Sequence, residues 1–262
     1  MPKLSFAQID AFASAPFKGN QACIVPMAGF EEDAVLQKIA AENNVAETAY
    51  IVPAGEGRWQ LRWFTPTTEV ALCGHATLAS AHWLFEHFGF DGEEIVFETR
   101  LSGELFVRRH PSAGFEMDFP APTVKPLSEH AELSEALGAT PQELFEGPFI
   151  AAIYESADQI RALQPDLAAI SDIAEVGCMA FDGDGVDVTS RFFAPGAGIP
   201  EDPATGSWHC IVAAIAGPRL GRPISCHQAY PGRGADLEIE LVGDRVKLRG
   251  RCVTVIEGVL RY

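Results

Sequence analysis

The sequence predicts an α+β fold with mixed or mainly antiparallel sheets, and three observations carry that reading. Strand patterns come in runs rather than in strict strand–helix–strand units. A Pro-rich connector, Pro120, Pro122 and Pro126, divides the 262 residues into candidate domains 1–121 and 122–262, the last strand being free to pack back on the first domain. A strand–turn–helix unit occurs in each half. Arg62-Trp63-Phe64-Thr65-Pro66 leads to Cys73-Gly74-His75-Ala76-Thr77, and Arg191-Phe192-Phe193-Ala194-Pro195 leads to Asp202-Pro203-Ala204-Thr205-Gly206-Ser207.

The elements follow in order. Residues 4–12 and 21–26 read as strands joined through the turn signals Pro16, Gly19 and Asn20. Glu31-Glu32-Asp33 places acid at the start of a helix whose apolar positions Val35, Leu36, Ile39 and Ala40 keep helical spacing up to Asn43-Asn44. Strands at 48–53 and 58–65 precede a helix at 74–88. Residues 93–99, 103–109 and 114–119 alternate apolar and polar, as half-buried antiparallel strands do. Beyond the connector come a helix at 128–137, a strand at 148–154 and a helix at 156–163. Strands at 173–180 and 186–194 follow, with a helix at 204–216. Four strands, at 223–229, 236–242, 245–249 and 252–260, finish the chain.

Composition excludes several classes. With 47% hydrophobic and 21% charged residues the chain is neither collagenous nor disordered. Its net charge of −17 is spread over both halves, which argues against nucleic-acid and anionic-membrane partners. The segment Met1–Ser14 has no apolar core of an export signal, so the expectation is a cytoplasmic protein with its six cysteines reduced. No CxxC pair or Cys/His ligand spacing suggests a metal. No Rossmann, Walker A, HExxH or GxSxG pattern occurs.

The chemistry concentrates at the two helix starts. A helix beginning with Gly, Ala, Thr or Ser presents backbone N–H groups and the positive end of its dipole, a fit for a carboxylate. Glu47, between Ala46 and Thr48, is a candidate proton carrier where burial favours a carboxyl that gives and takes protons. Cys73 at a helix start is a candidate nucleophile or base. His75 in the first turn can bind a ligand or act as an acid, and Asp202 can orient a substrate.

Taken in order, Gly19-Asn20, Ala46-Glu47-Thr48, Phe64-Thr65-Pro66 with Glu69, Cys73-Gly74-His75-Ala76-Thr77, and the Arg191–Ser207 segment resemble the PhzF-like, or phenazine-biosynthesis isomerase, family of the diaminopimelate epimerase superfamily. The resemblance implies two similar domains, each a sheet wrapped around a central helix starting at Gly74 or Ala204, with the active site between them. It implies Glu47 as the proton shuttle, His75 and Asp202 as assisting residues, and Asn20, Gly74, Gly206 and Ser207 as the binders of a small carboxylate substrate. It further implies a homodimer with no metal or organic cofactor. Two departures stand out. Pro203 takes the place of a second catalytic cysteine, which favours a single carboxylate shuttle over a two-thiol racemase. Ala46 and Gln21 replace the Ser and Pro usual in the family, which loosens the link to the phenazine precursor. The competing readings are a Cys73-dependent racemase or epimerase, and a carboxylate-binding protein without catalysis on the same fold.

Overall fold

A computed structural model describes residues 3–181 and 185–262. Two compact units emerge: residues 1–118 with 249–262, and residues 119–248. The first unit contains β1 (Lys3–Ala11), β2 (Asn20–Pro26), α1 (Asp33–Asn43), β3 (Glu47–Gly55), β4 (Arg58–Phe64) and the two-residue β5 (Glu69–Val70). It continues with α2 (Gly74–Glu86), β6 (Glu94–Thr99), β7 (Glu104–His110) and β8 (Gly114–Pro120). The second unit contains β9 (Lys125–Leu127), α3 (Ala131–Leu137), β10 (Glu143–Glu146), β11 (Ile150–Tyr154), α4 (Ala157–Ala162) and α5 (Leu167–Ile173). After these come β12 (Val176–Ala180), β13 (Val188–Phe193), α6 (Gly206–Leu220), β14 (Ile224–Gln228), β15 (Ala235–Val242) and β16 (Arg245–Gly250). The closing strand β17 (Cys252–Arg261) pairs antiparallel with β1, so the chain's end returns to the first unit.

The two units repeat one topology. In the first, β1–β2 is antiparallel, β2–β3 parallel, β3–β4 antiparallel, β4–β6 parallel and β6–β7 antiparallel. In the second, β10–β11, β11–β12, β12–β13, β13–β14 and β14–β15 alternate in the same order. The long helix sits at the same place in each repeat, α2 between β4 and β6 and α6 between β13 and β14.

Both long helices are buried over most of their length, as the central helix of a wrapped sheet is. Residues 75–81 of α2 are buried without a break, and so are residues 208–213 of α6. Their sequences suit that position, because alanines alternate with Leu, Ile and Trp and few polar groups need partners. Close packing also fixes Gly177 on β12, where a Cβ would lie 2.2 Å from the indole of Trp208. A small satellite core of Leu36, Ile39, Ala40, Tyr50 and Phe64 seats α1 on β3 and β4.

Three expectations are corrected. The second long helix starts at Gly206, not Ala204, because Thr205 is still extended (φ −115, ψ 102) and acts as its N-cap. That helix also runs on through Pro218 to Leu220 rather than stopping at 216. Pro218 lies in the last turn, and Gly221 in the left-handed conformation ends the helix. The strand expected from 173 begins at Val176, because residues 167–173 form α5, and the Pro-rich connector contributes β9, paired with β10. Among the described residues no helix is long and apolar enough to cross a membrane.

Candidate active site

The first unit's candidates converge because adjacent strand ends and a helix start meet at one place. Asn20 opens β2 and Glu47 opens β3, and these strands are parallel with Ala22 opposite Glu47. Gly19 makes the approach possible. It has φ +62, and a Cβ there would lie 2.0 Å from the carbonyl oxygen of Ala11, so only glycine fits. The loop before it is tied down by buried Asp10, whose carboxylate accepts a hydrogen bond from the Phe17 N–H at 2.8 Å. Glu47 is delivered by the end of α1, where Asn44 in the left-handed conformation (φ 49, ψ 40) turns the chain toward β3.

At the start of α2, Cys73 is the N-cap and His75 lies in the first turn. Nε2 of His75 is 2.9 Å from Oε2 of Glu47, and both side chains are about nine-tenths buried. The contact is an ion pair by distance, yet Oε2 of Glu47 has no aligned hydrogen bond among the described residues. On the ring's other side, Nδ1 of His75 is 3.3 Å from Nδ2 of Asn20. As placed, the amide donates to a bare Nδ1. Turned over, it accepts from a protonated one, so Asn20 suits both forms of the ring.

Burial opposes a charge on His75, but contact with the Cys73 sulfur and the Glu47 carboxylate, together with the charge of that carboxylate, outweighs it and lifts its pKa well above the usual 6.5. The Cys73 thiol moves the other way from a reactive one. Burial, reinforced by the Glu47 charge, raises its pKa, and its neighbour His75 offsets only part of this. Cys73 therefore stays a thiol at neutral pH.

Glu47, Cys73 and His75 also offer three donor atoms within 4.8 Å of one another, a set a metal ion can use. The orientation does not suit one. Sγ of Cys73 is 3.5 Å from Nδ1 and 3.9 Å from Nε2, so it lies against the ring rather than on the lone-pair axis of either nitrogen.

The remaining candidates, Asp202, Gly206 and Ser207, gather at the start of α6 in the second unit. There the polar groups are tied to one another. Thr205 donates from Oγ1 to Oδ2 of Asp202 at 2.5 Å. Gln228 on β14, fully buried, accepts from the Thr205 N–H at 2.9 Å and donates to the Asp202 carbonyl at 2.5 Å. Ser207 is exposed and Gly206 buried at the helix start. Since Thr205 caps α6 as Cys73 caps α2, the counterpart of Cys73 is Thr205 and not Pro203. The conclusion drawn from Pro203 survives the change, because a threonine is no thiol either.

Gln228 was not legible in the sequence, since it reaches Thr205 from 23 residues away and belongs to no motif. Glu69 and Glu201 were visible only as motif letters, without a task. A hollow of about 630 Å³ in the first unit, lined by His82, Arg109, His110, Arg251 and Cys252 among others, shares no residue with the Glu47 cluster.

Comparison with known proteins agrees with this architecture. The family described as phenazine biosynthesis-like protein (PhzC-PhzF) matches residues 9–258. An uncharacterized isomerase of Pseudomonas aeruginosa is 41% identical over 99% of both chains. A crystal structure of a PhzF-family phenazine biosynthesis protein from Enterococcus faecalis superposes with a TM-score of 0.95 at 33% identity, covering 100% of both chains. A probable proline racemase from Agrobacterium radiobacter has a TM-score of 0.61 at 12% identity over 99% of this chain and 92% of that one, a likeness of fold alone. The chain belongs to the phenazine biosynthesis-like (PhzC-PhzF) protein family.

Proposed function

We propose that the protein is a cofactor-independent isomerase that moves a proton on a small carboxylate-bearing substrate, with Glu47 as the proton carrier. The carrying observation is the buried contact of Glu47 with His75, Oε2 to Nε2 at 2.9 Å, both side chains about nine-tenths buried. In this reading Glu47 takes a proton from a substrate carbon whose electron pair is delocalised into a neighbouring unsaturated group. It then returns that proton to another position. His75 holds Glu47 in place and stabilises the carboxylate between the two steps, while Asn20 follows the ring's protonation state. The helix start at Gly74 presents its N–H groups to the substrate carboxylate, and Asp202, Gly206 and Ser207 at the start of α6 are the binding candidates of the second unit. The names of the relatives support the reaction class, since the Pseudomonas relative is named an isomerase.

Acid–base catalysis of this kind contributes about 10²–10⁴-fold, so orientation and helix-end electrostatics must supply the remainder. The test is incubation in D₂O with a panel of small amino and hydroxy acids, read by NMR. Wild-type protein is expected to place deuterium on carbon and Glu47→Gln is not. Equal exchange by both would remove Glu47 from the mechanism.

One observation favours a second reading, in which Cys73 is the acid that completes a racemase-like transfer. Its sulfur is 3.5 Å from His75 Nδ1 and its thiol is held protonated. A Cys73→Ala protein that still exchanges at the wild-type rate would dispose of it.

A further inference from the structure

The loop that precedes each long helix is anchored by the same device. In the first unit Arg62 on β4 grips Glu69 with two parallel bonds, Nε to Oε1 at 2.8 Å and Nη2 to Oε2 at 2.8 Å. In the second unit Arg191 on β13 grips Glu201 in the same way, at 2.7 and 2.8 Å. Each arginine is at least nine-tenths buried. Each lies against the Phe two residues on in its own strand, Arg62 at 5.1 Å from Phe64 and Arg191 at 4.9 Å from Phe193. Each glutamate stands five residues before the first residue of the helix, Glu69 before Gly74 and Glu201 before Gly206.

This is more than a stabilising pair placed twice. The loops differ in length, since Arg62 and Glu69 are 7 apart in sequence and Arg191 and Glu201 are 10 apart. What the repeats keep constant is the distance from the gripped glutamate to the helix start. The residues between glutamate and helix lead directly into candidate site groups: Cys73 and the approach to His75 in one unit, Asp202 and the helix start at Gly206 in the other. Other ties on the first loop are few. β5 adds two residues to the edge of β4, Thr65 closes a turn with Thr68 and accepts from Gln37 Nε2 at 2.9 Å, Ser102 donates to the Ala71 carbonyl at 2.8 Å, and the exposed Arg100 adds a single bond to Glu69 Oε2 at 3.1 Å. Thr67, Thr68, Ala71 and Leu72 are exposed, so little packing holds this stretch.

We infer that Arg62 and Arg191, each through its bidentate grip on Glu69 or Glu201, are positioning residues that set where the following helix start presents its site groups. Arginine is required at both positions, because only a planar guanidinium matches both carboxylate oxygens at once. Arg62 carries a second load through Nη2 to Asp33 Oδ1 at 2.9 Å, and Arg191 through Nη1 to the Leu163 carbonyl at 2.8 Å. In both, the gripping group is itself fixed from a neighbouring segment. The inference rests on the proposed function for its catalytic meaning, though not for its structural content.

Cysteine reactivity tests it without a substrate. Cys73 lies four residues after Glu69 and Cys210 lies on α6, while Cys23 and Cys226 are buried elsewhere in the first and second units. Alkylation of each is followed by mass spectrometry in wild type, Glu69→Gln, Arg62→Lys, Glu201→Gln, and Glu94→Gln as a control that breaks the exposed pair with Arg108. Local release of the loop predicts at least about 10-fold faster alkylation of Cys73 in Glu69→Gln and Arg62→Lys with Cys23 unchanged. Glu201→Gln should accelerate Cys210 over Cys226, and the control should change neither. Equal acceleration of Cys73 and Cys23 would mean general destabilisation and would overturn the inference, as would an unchanged Cys73. With an exchanging substrate, Glu69→Gln should lower kcat more than it raises KM. Absence of exchange in wild type would count against the proposed function and leave the cysteine result standing.

Discussion

The starts of α2 and α6 occupy the same place in a duplicated frame, yet they hold different chemistry. Both caps are extended residues, Cys73 and Thr205, and both helices bond back to the cap carbonyl from four residues on. Thr77 does so through Oγ1 at 2.6 Å, and His209 through Nδ1 at 2.8 Å. Around α2 the side chains are titratable and loosely bonded: a carboxylate, an imidazole and a thiol in contact. Around α6 they are neutral or fully engaged, with Thr205, Gln228 and Asp202 bonded in a ring. The two histidines show the contrast most sharply. Burial works against a charge on His75, but its contacts with Cys73 and Glu47 hold its pKa up, whereas burial is the main cause that drives His209 down to about 4. The frame, strand, arginine grip and glycine at the helix start, is common; the proton chemistry depends on which side chains were set into it.

The largest break in the comparison comes from Glu47→Gln. Removing the carboxylate should cost about 10²–10⁴-fold in proton exchange while circular dichroism stays native, whereas Asp202→Asn should leave exchange measurable and act mainly on KM. Next in size is Gly19→Ala, which places a Cβ 2.0 Å from a backbone oxygen at a positive φ. It should destabilise by about 1–3 kcal/mol or more in urea unfolding and displace Asn20 from His75.

Acid should act through the depressed histidines. His82 and His209 have folded pKa values of about 4, both chiefly from burial, against 6.5 unfolded. The unfolded chain therefore binds protons that the folded one refuses. Stability is full above pH 6.5 and falls between 6.5 and about 4, by up to roughly 3 kcal/mol for each group. His75 has the opposite sign: its contribution is complete below pH 6.5 and fades as pH rises through its raised value. Urea midpoints measured from pH 7.5 to 4 should drop in wild type and drop less in His209→Asn. The smallest effect is expected at the surface, where Glu94→Gln should shift stability by no more than about 0.5 kcal/mol.

Much of this was legible in the residues. Alternation gave β6 to β8, the Asn43-Asn44 stop ended α1, and the repeated Arg-aromatic-Phe-x-Pro marked β4 and β13. The ordered motifs named the first unit's cluster residue by residue. Other features were hidden for definite reasons. β10 and α5 are too short for their periodicity to stand out, although Pro165-Asp166 before α5 carried a signal, since Asp166 accepts from the N–H groups of Ala168 and Ala169. The α6 start was misplaced because Ala204 is as good a helix former as any residue after it. Only the gripped Glu201, the same five residues before Gly206 as Glu69 before Gly74, marks the true register. Gln228 could not be found at all, because a long-range hydrogen bond leaves no local pattern.

The account stands on the claim that α2 starts with a charged, proton-exchanging pair and α6 does not. Carbon-13 NMR of histidine ring Cε1 signals across pH follows His75 and His209 in one sample. The account predicts that His75 keeps its proton well above pH 6.5, that His209 stays neutral until near 4, and that Glu47→Gln lowers His75 without moving His209. Two histidines titrating together near 6.5, or a His75 indifferent to the loss of Glu47, would contradict it.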